Sequence, residues 1–250
     1  MKVERYLRRV ISKDGAAHLT LIDPDKQDPG EAGVIASQAS DAGTDGIMIG
    51  GSTRAEGETL DQTVLQIKKE TKLPVILFPA SERGISRYAD AIFFMSLLNS
   101  RDPYFISRAQ SLGAPIVKKF GIEPIPMAYL VVEPGCAAGR IGKAELIPRD
   151  DFDLAAAYAL CGQYLGMRFV YLEAGSGAEN PVPAGMVRKV RETTDVVLVV
   201  GGGIRTPKVA AERVRAGGDI IVTGTIVEDS EGRREKIAEI VEAIKSSGGA

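Results

Sequence analysis

Two glycine-terminated runs near the C-terminus carry the chemistry that shows most plainly in this chain. Residues 196–205 read VVLVVGGGIR and residues 219–225 read DIIVTGT. Glycine lets backbone N–H groups come close to an anion, and a helix N-terminus behind them adds favourable dipole charge. Gly202, Gly203, Gly224 and Thr225 are therefore candidates for holding a phosphate. A third segment, residues 171–177 (YLEAGSG), places a carboxylate beside the same kind of loop. Glu173 can accept a proton from a substrate hydroxyl, or it can pair with Arg205 as structural support. Gly175, Ser176 and Gly177 offer backbone and hydroxyl donors to phosphate or glycerol. Tyr171 adds a hydroxyl, and Leu172 and Ala174 complete the segment.

Upstream, residues 21–26 read LIDPDK. Two carboxylates flank a proline, a pattern that makes a good turn and also suits Mg²⁺, which shares its oxygen ligands with substrate phosphates. Asp23 is the candidate ligand, with Asp25 behind it. Residues 49–53 read IGGST. Ser52 could give an oxygen to the ion held by Asp23, or Ser52 or Thr53 could cap the helix that follows.

Other chemistries lack support. His18 lies within an apolar run and reads as a packed residue. Cys136 and Cys161 have no metal or redox spacing and read as free thiols. No P-loop or well-placed dinucleotide fingerprint is present. With 44% hydrophobic and 26% charged residues the chain belongs among ordinary globular proteins. Its formal net charge of −2 gives no reason to expect nucleic acid or an anionic membrane surface as a partner. The N-terminus is too charged for a signal peptide, and no apolar run approaches the roughly 20 residues that span a bilayer. A cytoplasmic location follows as the expectation.

The elements that must position these residues alternate along the chain. Continuously apolar strand-like runs occupy 17–23, 46–50, 74–79, 91–98, 125–132, 169–174, 196–201 and 219–223. Such runs are expected of parallel strands buried on both faces. Helical patterns lie between them at 31–42, 58–71, 103–112, 154–165, 183–191 and 207–216, with a last helix at 231–246 and a short amphipathic one at the start. Eight strands with crossover helices in 250 residues predict one α/β domain over 1–250, a (β/α)8 barrel whose phosphate site follows strands 7 and 8. Two connections are irregular. The third crossover, 80–90, has little room for a helix and predicts a gap in the helical ring. The fifth, 133–153, is long and rich in Gly and Pro, as functional or interface loops are. Tyr88, Phe93, Phe94, Tyr104 and Phe105 cluster near strands 3 and 4, some able to line an apolar groove beside the gap.

Taken in order, the segments 23–26, 50–53, 171–177, 201–205 and 223–225 resemble the geranylgeranylglyceryl phosphate synthases, archaeal prenyltransferases, over nearly the whole chain. The YLEAGSG segment is the most specific part. The resemblance implies that the sn-3 hydroxyl of sn-glycerol 1-phosphate attacks C1 of geranylgeranyl diphosphate and diphosphate leaves, the first committed step of archaeal membrane lipid synthesis. It implies Mg²⁺ on Asp23 and Ser52 against the diphosphate. It also implies glycerol phosphate on residues 171–177 with Gly202, Gly203, Gly224 and Thr225, and Glu173 orienting or deprotonating the hydroxyl. A homo-oligomer, dimer or hexamer, is implied as well.

Two departures stand out. Similar sequences carry an aromatic, usually Trp, and then an acid in the fifth connection. Here Arg140 and Lys143 stand instead, and the chain has no Trp. Buried aromatics often anchor interfaces, so the hexamer loses support. Thr225 stands where Asn is expected after Gly224, and it keeps a hydroxyl and an N–H for phosphate. A heptaprenylglyceryl phosphate synthase is the nearest alternative. A phosphosugar isomerase or aldolase would share the phosphate grip, but no Schiff-base lysine is evident at a strand end. A non-catalytic barrel would need neither the acid pair nor Glu173.

Overall fold

In the computed structural model, which describes residues 2–51, 56–228 and 231–248, the eight apolar runs form one closed parallel barrel. The strands are β1 (Ala17–Ile22), β2 (Gly46–Gly51), β3 (Val75–Pro79), β4 (Ala91–Leu97), β5 (Glu123–Val131), β6 (Phe169–Glu173), β7 (Val197–Gly201) and β8 (Ile220–Thr223), paired in chain order with β8 returning to β1. Alternation along each strand divides the core in two. One set, including Leu19, Met48, Phe93, Phe169 and Tyr171, fills the barrel. The other, including Ile35, Ile47, Leu130, Leu172 and Ile240, packs the strands against the helices.

Helix α1 (Val3–Asp14) covers the N-terminal end of the barrel and buries Val3 and Leu7 in the interior set. Glu123 accepts the Val3 N–H, and Arg168 pairs with Glu4 at 2.7 Å. The crossover helices α2 (Pro29–Asp41), α3 (Gly57–Glu70), α4 (Ala109–Phe120), α6 (Phe152–Tyr164), α7 (Ala184–Thr193) and α8 (Pro207–Arg215) lie close to their expected ranges, apart from α4, and α9 (Arg233–Ser247) closes the ring. Asp28, Asp151 and Thr206 cap α2, α6 and α8 through their side chains, as short polar residues do at helix starts.

The third crossover holds no helix, as its length predicts: residues 80–90 are turns, bends and irregular chain. Strands β3 and β4 meet over only two residues each, Ile76 with Ala91 and Leu77 with Ile92. Three local expectations need correction. The helix expected to stop at 112 begins as a π-helical turn, Tyr104–Arg108, and runs through Pro115 to Phe120, ending at left-handed Gly121. Gly113 is no stop signal; it lets α4 approach the third crossover, where a Cβ would lie 3.2 Å from Ile85 Cδ1. Strand β5 begins two residues early and includes Pro124 and Pro126. Prolines are tolerated there because β6 joins β5 only from Met127 onward, so that flank is a sheet edge. The long fifth connection contains a short helix, α5 (Cys136–Ile141), that the sequence pattern did not show.

Candidate active site

The period of two on β6 decides what residues 171–177 can offer. Tyr171 and Glu173 point into the barrel, while Leu172 and Ala174 are buried in the helix-facing core. The side chains of Leu172 and Ala174 are therefore absent from the mouth, and these two residues can offer it only their backbone. Backbone turns carry the rest: Gly175 has φ +103° and Gly177 φ +78°, conformations that favour glycine.

Glu173 is 7% exposed, and its Oε1 accepts the Gly175 N–H at 2.6 Å. The hydroxyls of Tyr171 and Tyr129 lie beside this carboxylate and favour its charged form. Burial nonetheless dominates and raises its pKa above the ordinary range, against the pull of those donors. Both phenols are pushed well up by burial and by the Glu173 charge, so they remain donors. Glu173 does not pair with Arg205. That guanidinium donates instead to the Gly177 carbonyl at 2.8 Å.

Arg205 belongs to a set of three arginines that hold the loop after β6 by its carbonyls. Arg149 donates to Glu133, Asn180 and Pro181, and Arg213 to Val182. The loop after β7 lies directly against this one. A Cβ on Gly202 (φ +82°) would sit 2.3 Å from Glu173 Oε1, and one on Gly203 (φ +73°) would sit 2.7 Å from the Ala178 carbonyl. These glycines allow the contact of two backbone turns beside one carboxylate.

Across the mouth, Asp23 follows β1 in a turn. Its Oδ1 accepts the Asp25 N–H at 3.0 Å, and its carbonyl accepts from Lys26 and Gln27. The turn expected of this segment is present, and it presents Asp23 to the cavity. Burial raises its pKa as the leading cause. Lys26 pairs with Glu228 beside it. Ser52 and Thr53, expected near Asp23, lie outside the described residues. No group of three or more His, Cys, Asp or Glu able to hold a metal occurs among the described residues. A cation there would need oxygens from substrate and water, and Asp23 has its second carboxylate oxygen without a protein donor among the described residues.

Asp23, Glu173, Ser176 and Gly224 share one cavity of about 1350 Å³, part of it open to solvent. Gly202 touches it through Glu173, whereas Gly177 and Thr225 stand just outside its wall. From this polar end the cavity continues between Phe78, Phe93, Phe94 and Phe105 to Ile85 and Gly113 at the third crossover. Ala138 and Ile141 of α5 form part of its wall. Of the aromatics singled out in the sequence, Phe93, Phe94 and Phe105 line it. Tyr104 instead bonds to Glu82, and Tyr88 is exposed.

Sequence reasoning missed Phe78 and Tyr129. Their rings pack at 5.2 Å, and Tyr129 stands opposite Tyr171 in register at 5.4 Å between ring centroids. The available signal was a hydroxyl at an interior position near the C-terminal end of β5. His18 is fully buried, its ring bonded to Thr44 and Thr223 at 2.8 Å each. Cys136 and Cys161 are unbridged.

This chain matches the PcrB family over residues 8–244. It is 58% identical over 247 residues to the geranylgeranylglyceryl phosphate synthase of Thermococcus gammatolerans, covering 98% of each chain. It is 56% identical to the Methanosarcina acetivorans protein of the same name, covering 98% of this chain and 100% of that one. The crystal structure of (S)-3-O-geranylgeranylglyceryl phosphate synthase from Thermoplasma acidophilum, in complex with sn-glycerol-1-phosphate, superposes with a TM-score of 0.93 at 49% identity, covering 96% of this chain and 98% of that one. With a match across nearly its whole length and more than half of its positions shared with those two relatives, the chain belongs to the PcrB family, among the geranylgeranylglyceryl phosphate synthases.

Proposed function

We propose that this protein joins sn-glycerol 1-phosphate to geranylgeranyl diphosphate through an ether bond and releases diphosphate. One observation carries the reading. A single cavity unites a glycine-rich polar end, holding a buried carboxylate, with an aromatic channel that leaves through the gap in the helical ring. A phosphorylated alcohol fits the first part and a long isoprenoid tail fits the second.

The chain's own groups support the steps. Turns at Gly175–Gly177 and Gly202–Gly203, with Ser176, Gly224 and Thr225, hold the glycerol phosphate by N–H and hydroxyl donors. Glu173 accepts the hydroxyl proton as the oxygen attacks C1, and the C1–O bond breaks with its electron pair leaving on the diphosphate. The Gly175 N–H takes one of the carboxylate's several acceptor positions, which leaves others for the substrate hydroxyl. The raised pKa makes Glu173 a better base near neutral pH. Fixing both substrates in one cleft supplies further rate enhancement.

Asp23, with Ser52, would hold Mg²⁺ at the diphosphate end, and such an ion would supply charge neutralisation for the leaving group. The location we favour is the cytoplasm, and the assembly a homodimer. No helix among the described residues is long and apolar enough to cross a membrane.

Turnover of labelled glycerol 1-phosphate with farnesyl, geranylgeranyl and heptaprenyl diphosphates, in Mg²⁺ or EDTA, tests the reading. Organic-soluble product strongest with the geranylgeranyl donor is expected. A heptaprenyl preference would shift the donor assignment, and no product with any donor would overturn the reaction.

A further inference from the structure

The net charge of the whole chain conceals a local excess. Residues 80–122, which carry the third crossover and α4, hold Arg83, Arg87, Arg101, Arg108, Lys118 and Lys119 against only Glu82, Asp90 and Asp102, in a chain of net charge −2. The three acids are already engaged. Asp90 pairs with Lys68 and Asp102 with Lys143, both from outside the segment, and Glu82 bonds to the Tyr104 hydroxyl.

Arg83 and Arg87 flank Ile85 at the channel's outer end, Arg108 precedes α4, and Lys118 and Lys119 stand in its last turn. The crossover and α4 run side by side, with Glu82 and Ile85 against Gly113, and with the Arg87 guanidinium 5.0 Å over the Phe120 ring. On α4, Gly113 and Val117 turn inward while Arg108, Leu112 and Lys119 share the opposite, exposed face at helical spacing. Two large apolar side chains sit among the charges: Leu112 is 48% exposed and Tyr88 40%. Apolar residues ringed by Lys and Arg are the composition that settles on an anionic lipid surface.

We infer that this rim docks the protein on an anionic bilayer, so that the isoprenoid donor passes from the membrane into the channel without crossing water. The inference rests on the proposed reaction for the identity of the tail. The docking itself depends only on the charge and exposure of the rim, which lies outside the channel lining and the polar site.

Co-sedimentation with vesicles of equal parts phosphatidylglycerol and phosphatidylcholine, and with phosphatidylcholine alone, tests it. Binding to the anionic vesicles only, weakened by salt, is the expected result. Arg83→Gln, Arg87→Gln and Lys119→Gln should each weaken binding about fivefold. Turnover of donor dispersed in detergent should stay at the wild-type level, while turnover of vesicle-borne donor falls. Absence of vesicle binding by the wild type, or unchanged binding by a variant that combines all three substitutions, would overturn the docking. So would loss of self-association in that variant by sedimentation velocity with vesicle binding intact, since the rim would then face a second copy. Because vesicle binding needs no turnover, failure of the reaction assignment would show separately, as absence of product in detergent.

Discussion

A single carbon added to Gly202 would lie 2.3 Å from Glu173 Oε1. The loop after β7 is thus fitted to the carboxylate at the end of β6, and the two cannot be altered independently. Gly202→Ala should abolish most turnover, both by displacing Glu173 and by forcing alanine into positive φ, which costs about 1–2 kcal/mol. Steady-state kinetics beside a thermal melt checks this; wild-type kcat in a folded variant would show that the carboxylate position is not critical.

Glu173→Gln keeps the shape of the site and removes the base. A fall in kcat of roughly 10²–10⁴ is expected, with glycerol 1-phosphate binding by calorimetry little changed. With Glu173 as the proposed base, wild-type activity needs the ionised carboxyl. It should therefore decline as pH falls through a pKa that burial has raised above the usual glutamate range. The variant's residual rate should lack that acid limb.

Asp23→Asn should move the Mg²⁺ requirement to much higher concentration at unchanged glycerol 1-phosphate KM. A metal titration that superposes on the wild type would remove Asp23 from the cation site.

Arg149 acts at a distance from the chemistry, through the Asn180 and Pro181 carbonyls. Arg149→Ala should raise KM for glycerol 1-phosphate while leaving KM for the prenyl donor alone, and should speed amide exchange across residues 175–182. Equal effects on both KM values would indicate general damage to the fold.

His18 governs stability in acid. Burial, helped by the Lys245 charge, lowers its pKa from 6.5 to about 3. The unfolded chain therefore takes up the proton first as pH falls. The stability this group contributes is complete above pH 6.5 and is lost progressively toward pH 3. At ~1.4 kcal/mol per pH unit, about 2 kcal/mol should be gone by pH 5. Asp23, Asp45, Asp219 and Glu173 oppose this at lower pH, because their raised pKa values favour protonation of the folded form. Urea melts of wild type and His18→Asn at pH 7 and pH 5 separate the two effects. An equal loss in both proteins would exonerate the histidine.

The barrel was legible because a parallel strand buried on both faces leaves a largely apolar run, and the eight runs do, with polar residues such as His18 and Thr20 of β1 as exceptions. Glycines that read as candidate phosphate ligands have a second reason to be glycine, the close approach of Gly202 to the Glu173 carboxylate and of Gly203 to the Ala178 carbonyl. What stayed hidden depended on neighbours distant in sequence. Pro124 and Pro126 look like strand breakers until β6 is seen to begin pairing at Met127. Gly113 and Pro115 look like a helix stop until the third crossover is seen against α4. Tyr129 is one apolar-run residue among many until the register sets it opposite Tyr171 and beside Glu173.

The two-residue seam between β3 and β4 has a dynamic consequence. Local opening costs least where ladder hydrogen bonds are few and packing is thin, and here the covering helix is missing too. The barrel should breathe first along this line, its amides exchanging before those of β5 or β6. In the proposed reaction a long, flexible tail would leave the barrel where the wall yields most easily. Tolerance for tails of different length becomes a property of that seam's compliance, separable from the rigid polar end where the bond is made.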